Sequence, residues 1–158
     1  MSTLKERLRA DLTAAMKSRD ELVKSTLRMT LTAVHTVEVA GEQARELDDA
    51  EVEQVIAKEA KKRAESAEAF AAAGRDELAA PERAEGEILA RYLPQQLGDD
   101  EVAALARDAV ATVVAKTGEA PGPRQMGLVM KQATAAAAGR ADGKRVAAAV
   151  KGLLAAPQ

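Results

Sequence analysis

Thirty-seven of the 158 residues are alanine and only two, Phe70 and Tyr92, are aromatic. A core built from so little side-chain volume must be thin and closely packed. Helices that cross through small residues meet that demand, whereas a sandwich, a barrel or an α/β sheet needs bulkier inward-facing rows. The remaining composition agrees, being rich in Leu, Glu, Lys and Arg, 30% charged, and poor in β-branched runs. The expected fold class is all-α.

The helices can be placed from caps and periods. Leu4, Leu8, Leu12 and Met16 recur every fourth residue, and Thr3 with Glu6 has capping-box spacing, which predicts a first helix from about Leu4 to Arg19. Asp20 restarts the chain, and Val23, Leu27, Leu31, Val34 and Val39 carry a second helix that ends near Gly41. Asp48 and Glu51 form another cap pair, with Leu47 at the staple position. Val52, Val55, Ile56 and Phe70 mark the buried side of a long third helix closed by Gly74. A fourth helix is expected to start close to Pro81, carry Ile88 and Leu89, and stop at Pro94. Gly86 within it costs about 1 kcal/mol relative to Ala, unless a neighbouring backbone approaches closely there. Both readings of Gly86 stay open.

Beyond Leu97, the run Gly98-Asp99-Asp100-Glu101 puts acids at a helix start, and Val102, Leu105, Ala109 and Val113 continue it to Thr117 and Gly118. Residues Glu119 to Pro123 read as a loop. A short helix with Met126, Val129 and Met130 follows, then a break from Gly139 to Gly143, then a final helix capped by Asp142 and carrying Val146, Val150, Leu153 and Leu154. The organisation expected is a four-helix N-terminal subdomain over residues 1–95, a hinge near Pro94 to Gly98, and a three-helix subdomain of smaller helices over 96–158.

The absence of cysteine excludes disulfides, thiolate nucleophiles, zinc fingers and iron–sulfur clusters, and suits a cytoplasmic protein. Charges at Lys5, Glu6, Arg7, Arg9 and Asp11 leave no apolar leader segment, and no apolar run is long enough to span a membrane. The net charge of −2 hides an asymmetry: from Lys116 onward the chain holds seven basic and two acidic groups. Its cationic end is the C-terminal one.

Candidates for chemistry are few. The single histidine, His35, shares a helical face with Glu38 and Glu42, but metal ligands normally converge from more than one element, so no metal site is assigned. No catalytic residue and no cofactor is assigned either. The turn Gly139-Arg140-Ala141-Asp142-Gly143 lacks the Gly-Lys-Ser/Thr ending of a phosphate loop. It does combine two glycines, a capping aspartate, a helix start and the cations Arg140, Lys144 and Arg145, with Lys131 one helix earlier. That set suits an anion such as an RNA phosphate, and it equally suits a tight turn with solvated cations. Lys58, Lys61, Lys62 and Arg63 form a second cationic cluster, interleaved with Glu59, Glu65 and Glu68, and read as ion pairs on a solvated helix face. Tyr92 is expected to pack between the two subdomains.

Several pieces taken together resemble the GatB/YqeY family, in particular its free-standing YqeY-like members. They are Arg28-Met29, Glu59-Ala60-Lys61-Lys62-Arg63, Gly74-Arg75-Asp76-Glu77-Leu78, Tyr92-Leu93-Pro94-Gln95-Gln96-Leu97, Met126-Gly127-Leu128-Val129-Met130 and Gly139-Arg140-Ala141-Asp142-Gly143-Lys144. The resemblance implies a YqeY-like helical N-terminal part and a C-terminal part similar to the tail domain of the GatB subunit of aspartyl/glutamyl-tRNA amidotransferase. It further implies a tRNA-binding or accessory module under the family label of carbon–nitrogen ligase activity with glutamine as amido donor. Partners would be tRNA, amidotransferase subunits or another protein, with no membrane. A non-catalytic helical protein–protein adaptor is the alternative.

Overall fold

The computed structural model describes residues 2–155, so Met1 and residues 156–158, the outer ends of the two expected subdomains, lie outside the described residues. Seven α-helices and one short 3-10 turn, with no strand among the described residues, make the protein all-α. They form two compact units, one ending at Leu93 and the other beginning at Pro94.

The first unit holds α1 (Thr3–Ser18), α2 (Glu21–Glu38), α3 (Asp49–Ala72) and α4 (Asp76–Ala90). Helix α1 starts at the expected cap, one residue earlier than Leu4. Ser2, not Thr3, is the N-cap and accepts from the Lys5 amide at 3.1 Å. Thr3 donates instead to Asp49 at 2.5 Å, and Asp49 also accepts from the Leu4 amide at 3.0 Å, so the first turn of α3 supplies a carboxylate to the open amides of α1. Asp20 caps α2, and Asp48 with Glu51 closes a capping box on α3.

Leu8, Leu27, Leu47, Ile56 and Leu89 are at most 1% exposed and form the core of this unit. Each contributes about 1.5–3 kcal/mol of burial. Met16 is 49% exposed although it continues the four-residue row. A step of four residues overshoots a full turn by about 40°, so by the fourth member the row has left the buried face and Ala15 takes its place. Val39 lies past the end of α2 and is 48% exposed.

Helix α4 begins at Asp76, five residues before Pro81, which lies inside it. Asp76 and Glu77 complement the helix start, and Pro81 is exposed, so water can reach the carbonyl its missing amide leaves unpaired. A methyl group at Gly86 would stand 3.9 Å from the Arg63 Cβ, an ordinary contact. Gly86→Ala is therefore expected to stabilise the unit by about 0.5–1 kcal/mol in urea unfolding. A loss of stability would show that α4 cannot carry a side chain facing α3.

The second unit holds α5 (Asp99–Thr117), the 3-10 turn Pro123–Gln125, α6 (Met126–Ala137) and α7 (Gly143–Ala155). At 19 residues α5 is longer than α1, α2 or α4, so only α6 and α7 are the small helices expected here. Ala106, Ala109, Ala133 and Ala137, all at most 2% exposed, pack with Val129, Val146 and Val150. Alanine at the helix contacts lets the backbones approach closely, which is how a unit without an aromatic residue fills its interior.

Candidate nucleic-acid interface

Charge is segregated by helix in the second unit. Asp99, Asp100 and Glu101 form the first turn of α5, while α6 and α7 contain no acidic residue. From Ala120 to Ala155 the chain carries Arg124, Lys131, Arg140, Lys144, Arg145 and Lys151 against the single acid Asp142.

The turn between α6 and α7 is built from the backbone outward. Ala138 and Gly139 both take left-handed φ values, 49° and 77°, which end α6 and reverse the chain. The carbonyls of the turn are not left to solvent. Leu97 donates its amide to the Arg140 oxygen at 2.7 Å, and the Gln96 side chain donates to the Gly139 oxygen at 3.3 Å. Asp142 accepts from the Lys144 amide at 3.0 Å at the start of α7. The two motifs that stand more than 40 residues apart are thus one structural piece, in which Gly139 supplies a left-handed φ and Asp142 an acceptor for the first turn of α7.

The four candidate cations divide. Lys131 stands on the exposed side of α6, and Lys144 is exposed on the first turn of α7; neither side chain has a partner among the described residues. Arg140 is exposed, with its Nε donating to the Ala137 carbonyl at 3.3 Å. Arg145 is half-buried and pairs at 2.9 Å with Asp99, itself 98% exposed, in a surface ion pair between α7 and the start of α5. Three of the four thus have no ionic partner among the described residues, and the fourth is paired at the surface. Lys151, seven residues after Lys144 and exposed on the same face of α7, escaped the sequence reading although the two-turn spacing could have found it.

The other sequence candidates lie in the first unit. His35 is 72% exposed at its side chain and lies 3.9 Å from Glu38, and no group of three or more His, Cys, Asp or Glu placed to hold a metal occurs among the described residues. Tyr92, expected to pack between the two subdomains, belongs to the core of the first unit. It is 7% exposed within the first unit's core, donates to Asp11 at 2.5 Å and lies beneath Arg7 at 4.7 Å. Burial, with the Asp11 carboxylate, raises its pKa well above the usual phenol range.

The Lys58 to Arg63 cluster is not a uniformly solvated face either. Lys62 pairs with Glu59 at 2.9 Å, but Arg63 turns toward α4, meeting Glu82 at 3.3 Å and Glu85 at 3.4 Å. Sequence spacing within α3 shows only the local partners, whereas these two come from the next helix. No helix among the described residues is long and apolar enough to cross a membrane.

Residues 5–154 match the family described as Yqey-like protein. The chain is also similar to "Altered inheritance of mitochondria protein 41, mitochondrial" of Meyerozyma guilliermondii, with 30% identity over 125 residues, covering 77% of this chain and 64% of that protein. The matched stretch thus spans less than two thirds of the relative's length.

Proposed function

We propose that this chain, which belongs to the Yqey-like protein family, is a tRNA-binding or accessory module related to glutamine-dependent tRNA amidotransferases, working through the α6–α7 face of its second unit. The observation that supports this reading is the segregation of charge: two neighbouring helices without a single acid, carrying Lys131, Lys144 and Lys151, with Arg140 between them. No aromatic residue occurs from Pro94 onward, so no aromatic side chain there can stack on a splayed base. Backbone and shape recognition of folded RNA is what such a surface can offer. Carbon–nitrogen ligase chemistry, in this reading, resides in partner subunits, because one exposed histidine and no cysteine give the chain little with which to form or attack an acyl group. A cytoplasmic setting agrees with the cysteine-free sequence.

The test is binding to unmodified tRNA across a range of salt. Three or four phosphate contacts are expected to give a slope of log affinity against log salt of about −2 to −4. Replacing Lys131, Arg140 and Lys144 together by alanine, leaving the paired Arg145 in place, should flatten that slope by about 2 with no change in helical content. Equal affinity and slope for both proteins would remove this surface from consideration and leave the protein–protein adaptor ahead.

A further inference from the structure

A groove between α2 and α3 in the first unit plays no part in the RNA reading. It has a wider part of ≈ 540 Å³ and an adjoining part of ≈ 370 Å³ that share Ala33, Thr36 and Glu59. Its α2 wall carries an apolar row beside the polar Arg28, Thr32 and Thr36. Met29 and Val37 are each 44% exposed, and with Ala33 between them they repeat every fourth residue, a ridge about 12 Å long at the helical rise.

The charged residues around this ridge are unbalanced. Arg45 is held by Glu51 at 2.6 Å and Lys62 by Glu59 at 2.9 Å, which neutralises both acids that line the groove. Arg28 and Lys58 also line it, and among the described residues neither has a partner. The groove thus has a cationic rim on a unit whose overall charge is negative, with 15 basic and 19 acidic groups up to Gln95. Arg28-Met29 on α2 and Lys58 with Lys62 on α3, separate pieces of the sequence, converge on this one place.

An apolar ridge between two unpaired cations selects its occupant by chemistry. RNA would meet the cations, but it would also lay a charged backbone over exposed methionine and valine. A second copy of the chain, placed by a two-fold axis, would bring the same excess of positive charge face to face. A helix with apolar residues on one side and acids along its flanks satisfies both the ridge and the rim. We infer that the α2–α3 groove is a docking site for an acidic amphipathic helix of a partner protein.

The probe is a synthetic 18-residue helical peptide with leucines at i, i+4 and i+7 and glutamates on both flanks, titrated into the full-length protein carrying ¹³C-labelled methionine methyls. The acidic peptide is expected to bind and to shift the Met29 signal while leaving Met16, Met126 and Met130 in place. A version with lysine for every glutamate should bind at least about tenfold more weakly. Arg28→Glu together with Lys58→Glu, both at exposed positions, should weaken the acidic peptide by about tenfold, with unchanged circular dichroism. Any of the following overturns the proposal: no binding of the acidic peptide, equal binding of the two peptides, shifts confined to other methionines, or a Met29 shift produced by tRNA or by raising the protein concentration alone.

Discussion

Lys5→Met is expected to lower the stability of the first unit by about 3 kcal/mol at pH 7, the lower end of the range for removing one member of a buried ion pair. The Lys5 ammonium donates to both oxygens of Glu38, at 2.6 and 2.8 Å, with the two side chains only 11% and 9% exposed. Without Lys5 the carboxylate keeps only the Leu47 amide at 3.4 Å and the exposed His35 at 3.9 Å. Urea unfolding followed by the fluorescence of Tyr92, the single tyrosine and part of this unit's core, reports the loss directly. Removing both charges, as in Lys5→Met with Glu38→Leu, should recover most of it, because no charge is then stranded. A deficit under about 1 kcal/mol for the single variant would mean that the pair is effectively solvated.

The same variant should reverse a pH dependence. In the wild-type protein Glu38 is held below the usual carboxylate range, chiefly by the hydrogen bond from Lys5, against burial that pushes it up and with help from the Leu47 amide. Asp49 is held at about 2 by the hydroxyls of Ser2 and Thr3 and the Leu4 amide, and Glu51 at about 2 by Arg45 and the Asp48 amide. All three are more acidic folded than unfolded, so their contribution is complete above about pH 5 and is lost as pH falls toward 2. In Lys5→Met the main cause lowering Glu38 is gone and burial leads. The folded state then takes up a proton more readily than the unfolded one, and the deficit should narrow between pH 7 and pH 5. A constant or widening deficit would contradict this account.

Arg63→Ala is expected to cost about 2 kcal/mol, less than a fully buried pair because the groups keep a fifth or less of their side-chain surface in water. One guanidinium faces Glu82, Glu85 and, at 4.0 Å, Glu59, so its removal leaves three carboxylates close together between α3 and α4. Added salt should shrink the deficit by screening their repulsion. Arg63→Lys should restore only part of it, since a single ammonium cannot spread its donors over three acids. A deficit that salt leaves untouched would assign the loss to packing of the arginine stem instead.

Local chemistry is what the sequence settled by itself. The caps at Asp20 and at Asp48 with Glu51, the stop at Gly118, and the apolar rows through Leu8, Leu27 and Ile56 all act within a few residues, so all are legible in the order of the chain. The scarcity of aromatic residues pointed to helices packed through small residues along the whole chain, which the alanine core of the second unit meets, whereas leucine, isoleucine and valine fill the first. Even local rules failed where a competing element took over a group. Ser2 rather than Thr3 caps α1, with Asp49 of α3 accepting from both hydroxyls, and α4 runs back through Pro81 because the acids at Asp76 and Glu77 start a helix well enough.

Which cations remain available was decided only by tertiary structure. Arg145 and Lys144 are adjacent in sequence and alike in charge, yet one is fastened to Asp99 and the other is exposed without a partner. Arg63 and Lys62 part in the same way, toward α4 and toward Glu59. Neighbours on a helix point about 100° apart, so what each meets depends on which other helix lies on that side. That information resides in the packing of distant segments, as do the buried Lys5–Glu38 pair and the bonds from Gln96 and Leu97 to the Gly139–Arg140 turn.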